Sequence, residues 1–321
     1  MSETLATTVD RFLTHRRAVG RKYLSEQREL ALLVRFADAR DIDGLDGLTS
    51  QLLDEFLASR PRTRPRSFNH LLGVVAVFLD WTVSQQLLAA TPLRTRRRRA
   101  TAERIPFIFD PAQARRLLDV ADGLADNPRA RGRGATYRSI FALCYGLGLR
   151  GGEACGLRIG DVDAERQLLV VRGGKFGKTR LVPHGPGIGQ LLADQLQRRR
   201  NGRVLADEAP LFTFDGHRCV HPGSASQTFH RLLPHLELQV ADGVGSPRLH
   251  SLRHSFAVGT LLRWYRQGDD PTARLFELST FMGHVDPTST AVYLTITTEL
   301  FDEANRRFET FAAPACNKAR R

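Results

Sequence analysis

His250-Ser-Leu-Arg253-His254, then Met282-Gly-His284, then Tyr293 nine residues further on, is the stretch from which the rest of the chain is read. A histidine and an arginine three apart on a helix project from one face. His250 and Arg253 are therefore expected side by side, with His284 and the phenol brought in by a later helix. Far upstream, Arg150 sits in Gly148-Leu-Arg-Gly-Gly-Glu153, and Lys175 lies on an expected hairpin between the two regions. Two arginines, two histidines, a lysine and a tyrosine, with no carboxylate cluster to hold a metal, suit phosphoryl chemistry. The guanidiniums can clamp a phosphate through paired hydrogen bonds and the phenol can attack it. No metal and no cofactor is expected.

In that order and spacing these residues resemble the tyrosine recombinase, or phage integrase, family. The matching pieces are Gly148-Leu-Arg150-x-x-Glu153-x-x-x-Leu157, Gly174-Lys175 ahead of Arg180-Leu-Val-Pro183, His250-x-Leu-Arg253-His254, and Met282-Gly-His284 running to Tyr293. Motifs carry the resemblance over about residues 105–312, and only layout carries it over the N-terminal third. The joint match is specific, whereas one box alone says little.

The resemblance implies a mainly α fold with a small β-hairpin or sheet. An all-helical core-binding domain over residues 1–92 would precede a basic linker over 93–104. An α+β catalytic domain of the DNA breaking-rejoining type would then occupy 105–321. It also implies roles. Tyr293 would be the nucleophile, leaving a 3′-phosphotyrosyl ester that preserves the diester bond energy. Arg150 and Arg253 would hold the non-bridging oxygens, His284 would bind the same phosphate, and His250 would hydrogen-bond it or help deprotonate the phenol. Lys175 would protonate the departing 5′ oxygen. The expected partner is double-stranded DNA, bound by a homotetramer or a mixed recombinase tetramer, and the arginine-heavy composition leans toward a mobile genetic element. Gly151-Gly152 departs from the larger residues usual after the arginine, so a loosened helix start is expected there. Glu153 is read as a brace for the arginine segment, and Lys178 and Arg180 also lie near the hairpin.

Composition agrees with a polyanionic partner. In 321 residues the formal net charge is +13 and the sequence pI is near 10.5, an excess that signals nucleic acid or an anionic surface. The length exceeds a usual single core, so two domains are expected. No run of about 18 apolar residues is present, so no spanning helix is expected, and the start lacks a secretory pattern. Cys144, Cys155, Cys219 and Cys316 show no metal-ligand spacing. That suggests a reducing, cytoplasmic setting.

Residues 4–90 read as four or five short helices, with Thr49 or Ser50 capping the segment that holds Leu52, Leu53, Phe56 and Leu57, and a fourth running from Leu71 to Val83. Pro92 discourages helix at Thr91. Arg94 and Arg96 to Arg99 repel one another, which predicts an extended linker, either merely solvated or lying along a duplex. Arg60, Arg62, Arg64 and Arg66 form a second basic loop suited to phosphate contact. Asp110-Pro111 reads as the cap and first turn of a helix. Two β-rich runs, 167–171 and 179–182, flank the Lys175 turn, and the pattern is helical thereafter. Leu300, Ala304, Phe308 and Phe311 form a stripe that docks on its own domain or on a neighbouring subunit. Competing functions are a type IB topoisomerase and a DNA-binding accessory protein that has lost catalysis.

Overall fold

The computed structural model describes residues 3–20, 23–99, 104–173, 179–284, 286 and 288–295. The chain divides into two compact units, Met1–Glu103 and Arg104–Arg321.

The first unit is helical. Helix α1 (Leu5–Ala18) starts at Thr4, whose hydroxyl accepts from the Thr7 amide, and α2 (Leu24–Asp38) follows. Helix α3 (Ser50–Ala58) is capped by Thr49, whose hydroxyl accepts from Leu52 N at 3.2 Å. Ser50 does a different job, donating to Pro92 O at 2.7 Å. Helix α4 (Pro65–Ser84) begins earlier than the apolar run suggested. Its proline is the first helical residue, where a missing N–H goes unused. Phe12, Phe56 and Phe78 are fully buried between these helices, and the Phe12 and Phe78 rings meet edge-on at 5.4 Å. By length and composition alone α4 could cross a membrane, against the expectation from apolar runs, but half of its apolar window is buried.

The arginine run is not simply extended. Residues 93–99 form neither helix nor strand, yet they dock on their own unit. Asn69 clamps the Arg98 backbone with two 2.8 Å hydrogen bonds, and the Arg98 guanidinium lies 3.8 Å from the Phe68 ring centre. Those contacts outweigh the repulsion among exposed like charges, which is screened by water and salt. Arg62 is also engaged internally, pairing with Glu29 at 2.7 Å. Arg64, Arg94, Arg96, Arg97 and Arg99 are exposed.

In the second unit α5 (Pro111–Asp122) starts on a reciprocal Asp110–Gln113 capping box. Helix α6 (Arg133–Gly146) is its centre, packing on α5 and on three elements introduced next: α7 (Gly151–Cys155), α8 (Pro186–Arg200) and α10 (Leu249–Gln267). Thr136, Tyr137, Ile140 and Phe141 are mediocre helix formers. Ile140, Phe141 and Leu143 are fully buried, and at about 1.5–3 kcal/mol each that burial decides the conformation.

Strands β1 (Val162–Asp163), β2 (Leu168–Val171) and β3 (Arg180–Pro183) form an antiparallel sheet in that order. The β2–β3 register pairs Leu169 with Val182 and Val171 with Arg180. Leu169, Val171 and Val182 face the core while Leu181 faces out. Helices α9 (Pro222–Leu232), α11 (Leu275–Met282) and α12 (Thr288–Ala291) complete the described part, and a 3₁₀ turn (Val292–Thr295) carries Tyr293. Irregular chain over about 203–220 and 237–248 interrupts the helical run expected after the hairpin.

Candidate active site

The site grows from three chain turns. The first follows α6, where Gly148 adopts φ +60°, and a Cβ there would lie 2.4 Å from the Phe256 ring. That turn delivers Arg150 to the N-cap of α7. Glu153, three residues on, reaches back to the Arg150 amide at 2.9 Å, the return half of a capping box. Gly151 does not loosen this start. A Cβ at position 151 would sit 2.9 Å from Leu249 Cδ2, so the glycine admits the first residue of α10.

The second turn is the end of α11. Gly283 takes φ +68°, a left-handed cap, and a Cβ there would meet Arg180 Nη1 at 2.8 Å. Three successive carbonyls at this end accept from three different arginines. Arg180 Nε donates to Phe281 O at 2.9 Å, Arg253 Nη2 to Met282 O at 2.8 Å, and Arg150 Nη2 to Gly283 O at 3.0 Å. A helix C-terminus is the negative end of its dipole, so cations belong there. Arg253, 1% exposed, also donates to Gly148 O and so ties the first turn to the second.

Glu153 joins Arg150 to Arg180. Its carboxylate accepts from Arg150 Nη1 at 2.7 Å and from Arg180 Nη1 and Nη2 at 3.0 and 2.9 Å. Burial alone would raise its pKa. The Arg180 pair and the Arg150 amide outweigh that and hold it down at about 2. Three guanidiniums against one carboxylate leave a net positive cluster suited to an anion.

The third turn is the 3₁₀ segment. Tyr293 is 4% exposed among Val258, Leu261, Leu278 and Met282, and its hydroxyl lies 2.8 Å from His254 Nδ1. The His254 ring stands edge-on to that of His250 at 4.7 Å, and the His284 ring is stacked on Tyr293 at 6.4 Å. His284 Nδ1 lies 2.6 Å from the buried Thr290 hydroxyl.

Burial raises the Tyr293 pKa, partly offset by Arg253 and Arg150. Burial chiefly lowers Arg253 to about 10, still protonated at neutral pH. His250, His254 and His284 are each pushed down to about 4. Withdrawal from water is the first cause, followed by neighbouring charge: Arg253 and Arg150 for His250 and His284, His250 and Arg253 for His254.

This yields a stability prediction. A folded value below the ordinary 6.5 means that the neutral ring belongs to the fold, so its contribution is complete above about pH 6.5 and is lost as pH falls toward 4. His250 keeps an exposed edge, so the argument rests on His254 and His284. Each is expected to withdraw up to roughly 2 kcal/mol at pH 5, reduced by the water that still reaches the rings. Glu153 stays ionised across this range. The melting temperature should fall between pH 7 and pH 5, and fall less in a His254→Asn/His284→Asn double variant. An equal fall in both proteins would assign the loss elsewhere.

Of the residues expected from sequence, Arg150, His250, Arg253, His284 and Tyr293 come together here. Lys175 lies outside the described residues, as do Cys316 and the Leu300–Phe311 stripe. Two contributors had no assigned role. His254 stands four residues after His250 and so shares its helix face, a signal present in the sequence. Arg180 had only its nearness to the hairpin. Among the described residues no group of three or more His, Cys, Asp or Glu could hold a metal ion.

Residues 108–299 match the model of the phage integrase family. A protein of Sinorhizobium fredii that carries the name integrase/recombinase y4rB is 34% identical over 312 residues, spanning 95% of this chain and 97% of its own. Tyrosine recombinase XerC of Xanthomonas campestris pv. campestris is 27% identical, over 91% of this chain and 85% of its own. Among solved structures, the Tn1549 transposon integrase in complex with transposon right end DNA superposes with a TM-score of 0.64 at 19% identity. That match covers 96% of this chain and 99% of the other.

Proposed function

The chain belongs to the phage integrase family of site-specific DNA recombinases, and from that premise we propose that it cuts and rejoins duplex DNA through a covalent 3′-phosphotyrosyl intermediate. One observation carries the reading. The Tyr293 hydroxyl is hydrogen-bonded inside a group of histidines that borders the paired guanidiniums of Arg150 and Arg253.

In this reading the scissile phosphate lies against the cationic cluster. Arg150 and Arg253 each keep one arm on the α11 end and direct remaining N–H groups to the non-bridging oxygens. His250 and His284 border the same phosphate, Tyr293 attacks phosphorus, and Lys175 gives a proton to the departing 5′ oxygen. Glu153 and Arg180 hold the arginines in place. Residues 1–92 form the core-binding domain and 93–104 a linker ahead of the catalytic part. Exposed Arg64, Arg94, Arg96, Arg97 and Arg99 supply phosphate contacts, which give affinity and salt dependence without sequence reading. Arg62 and Arg98 act more through the fold, since their side chains already have partners within it. The protein works as a tetramer on DNA and serves a mobile element; the likeness to a transposon integrase supports that assignment.

The test starts from a random-sequence duplex pool, from which the protein enriches its own site. That site is then rebuilt as a nicked suicide duplex. The expected result is a protein–DNA adduct that survives denaturation and requires neither metal nor nucleotide. Enriched sites with no adduct would leave DNA binding without strand transfer.

A further inference from the structure

We propose that His254 takes the phenolic proton of Tyr293 as the phenol oxygen bonds to phosphorus. This rests on the reading of Tyr293 as nucleophile and adds the group that activates it.

The geometry favours His254 over every neighbour. Its Nδ1 lies 2.8 Å from the hydroxyl, within proton-transfer reach. Arginines carry no acceptor atom. Both Glu153 oxygens are occupied by Arg150 and Arg180. His284 meets Tyr293 ring face to ring face, and its Nδ1 is engaged with Thr290. His250 packs edge-on against the His254 ring. His254 is also held neutral by burial and by His250 and Arg253, so its lone pair is present at neutral pH. An arriving phosphate offsets the Arg253 charge, which raises the basicity of the ring as the substrate seats.

The step balances. The Tyr293 O–P bond forms and the P–O5′ bond breaks. The phenolic proton passes to His254 Nδ1, giving an imidazolium, and the 5′ oxygen leaves as a hydroxyl with a proton from the acid of the site. In rejoining, the 5′ hydroxyl attacks, the phosphotyrosyl bond breaks, and His254 returns its proton to the phenol oxygen. The competing account is that the hydrogen bond only satisfies a buried tyrosine.

The experiment uses the full chain and the nicked duplex rebuilt from its own enriched site. One version carries an ordinary scissile phosphate and the other a bridging 5′-phosphorothiolate, whose thiolate leaves without an acid. His254→Asn is the main variant, because its side-chain oxygen can stand where Nδ1 stands and hold the phenol without removing its proton. His254→Gln is measured beside it, with duplex retention and melting recorded for both. Adduct formation is expected to fall about 10²- to 10⁴-fold in both variants and on both substrates, with duplex retention unchanged. A His254→Asn protein within about threefold of wild type would reduce His254 to positioning, since it lacks even the lower end of a general-base contribution. Recovery on the phosphorothiolate would make His254 an acid and overturn the proposal. A wild type that forms no adduct on either substrate overturns the reading of Tyr293 itself.

Discussion

Tyr293→Phe is expected to leave the protein folded and bound to duplex and to reduce the trapped adduct to background. The substitution deletes one oxygen. The ring stays in its cluster with Val258, Leu261, Leu278 and Met282, so no cavity opens. The cost to folding is the lost hydrogen bond to His254, on the order of 1 kcal/mol, and water can reach the half-buried imidazole left behind. Activity has no such cushion. On the proposed mechanism the deleted oxygen is the attacking atom, and no surrounding arginine or neutral histidine would form the same ester in its place. The measurement is the denaturation-resistant band on the nicked duplex, with duplex retention as the control. A band of undiminished intensity would mean that the attacking oxygen belongs to another residue.

Arg253→Ala is expected to damage both fold and chemistry. Its guanidinium is 1% exposed and joins Gly148 O to Met282 O across two turns. Removal strands two carbonyls, at about 1–3 kcal/mol each, and leaves a void in place of a long side chain. A total on the order of 3–5 kcal/mol follows, lowering the melting temperature by on the order of 10 °C for a unit of this size. Strand cleavage should drop by roughly 10²- to 10³-fold even at temperatures where the variant is folded. Thermal melting and single-turnover adduct formation report the two losses separately. A variant that melts like wild type would show that the interior does not depend on this cation.

Much of this was legible in the chain because it rests on local rules. The apolar spacing marked the helices of the first unit, the Asp110-Pro111 pair marked the start of α5, and the β-rich runs marked the hairpin. The three-residue spacing of His250 and Arg253 put both on one face of α10. Other features depend on contacts between distant segments, and no local pattern encodes them. Gly151 reads in the sequence as a weakness, yet Leu249 packs where its side chain would be. The arginine run looked merely repulsive, yet Asn69 and Phe68 anchor Arg98. Strand β1 is too short to leave a periodic signal. Arg180 matters because β3 lies against the end of α11, and His254 because a 3₁₀ turn brings Tyr293 to its ring.

The row of carbonyls closing α11 restricts which cations can occupy this site. A guanidinium is forked, so one tip can grip the helix end while another holds a second partner, Glu153 for Arg150 and Arg180 and the Gly148 carbonyl for Arg253. A lysine has a single tip and would have to choose. Swapping any of these arginines for lysine would preserve the electrostatic field and still unhook one of its two partners. The three positions therefore demand branching as well as charge, and a basic composition alone would never assemble such a cluster.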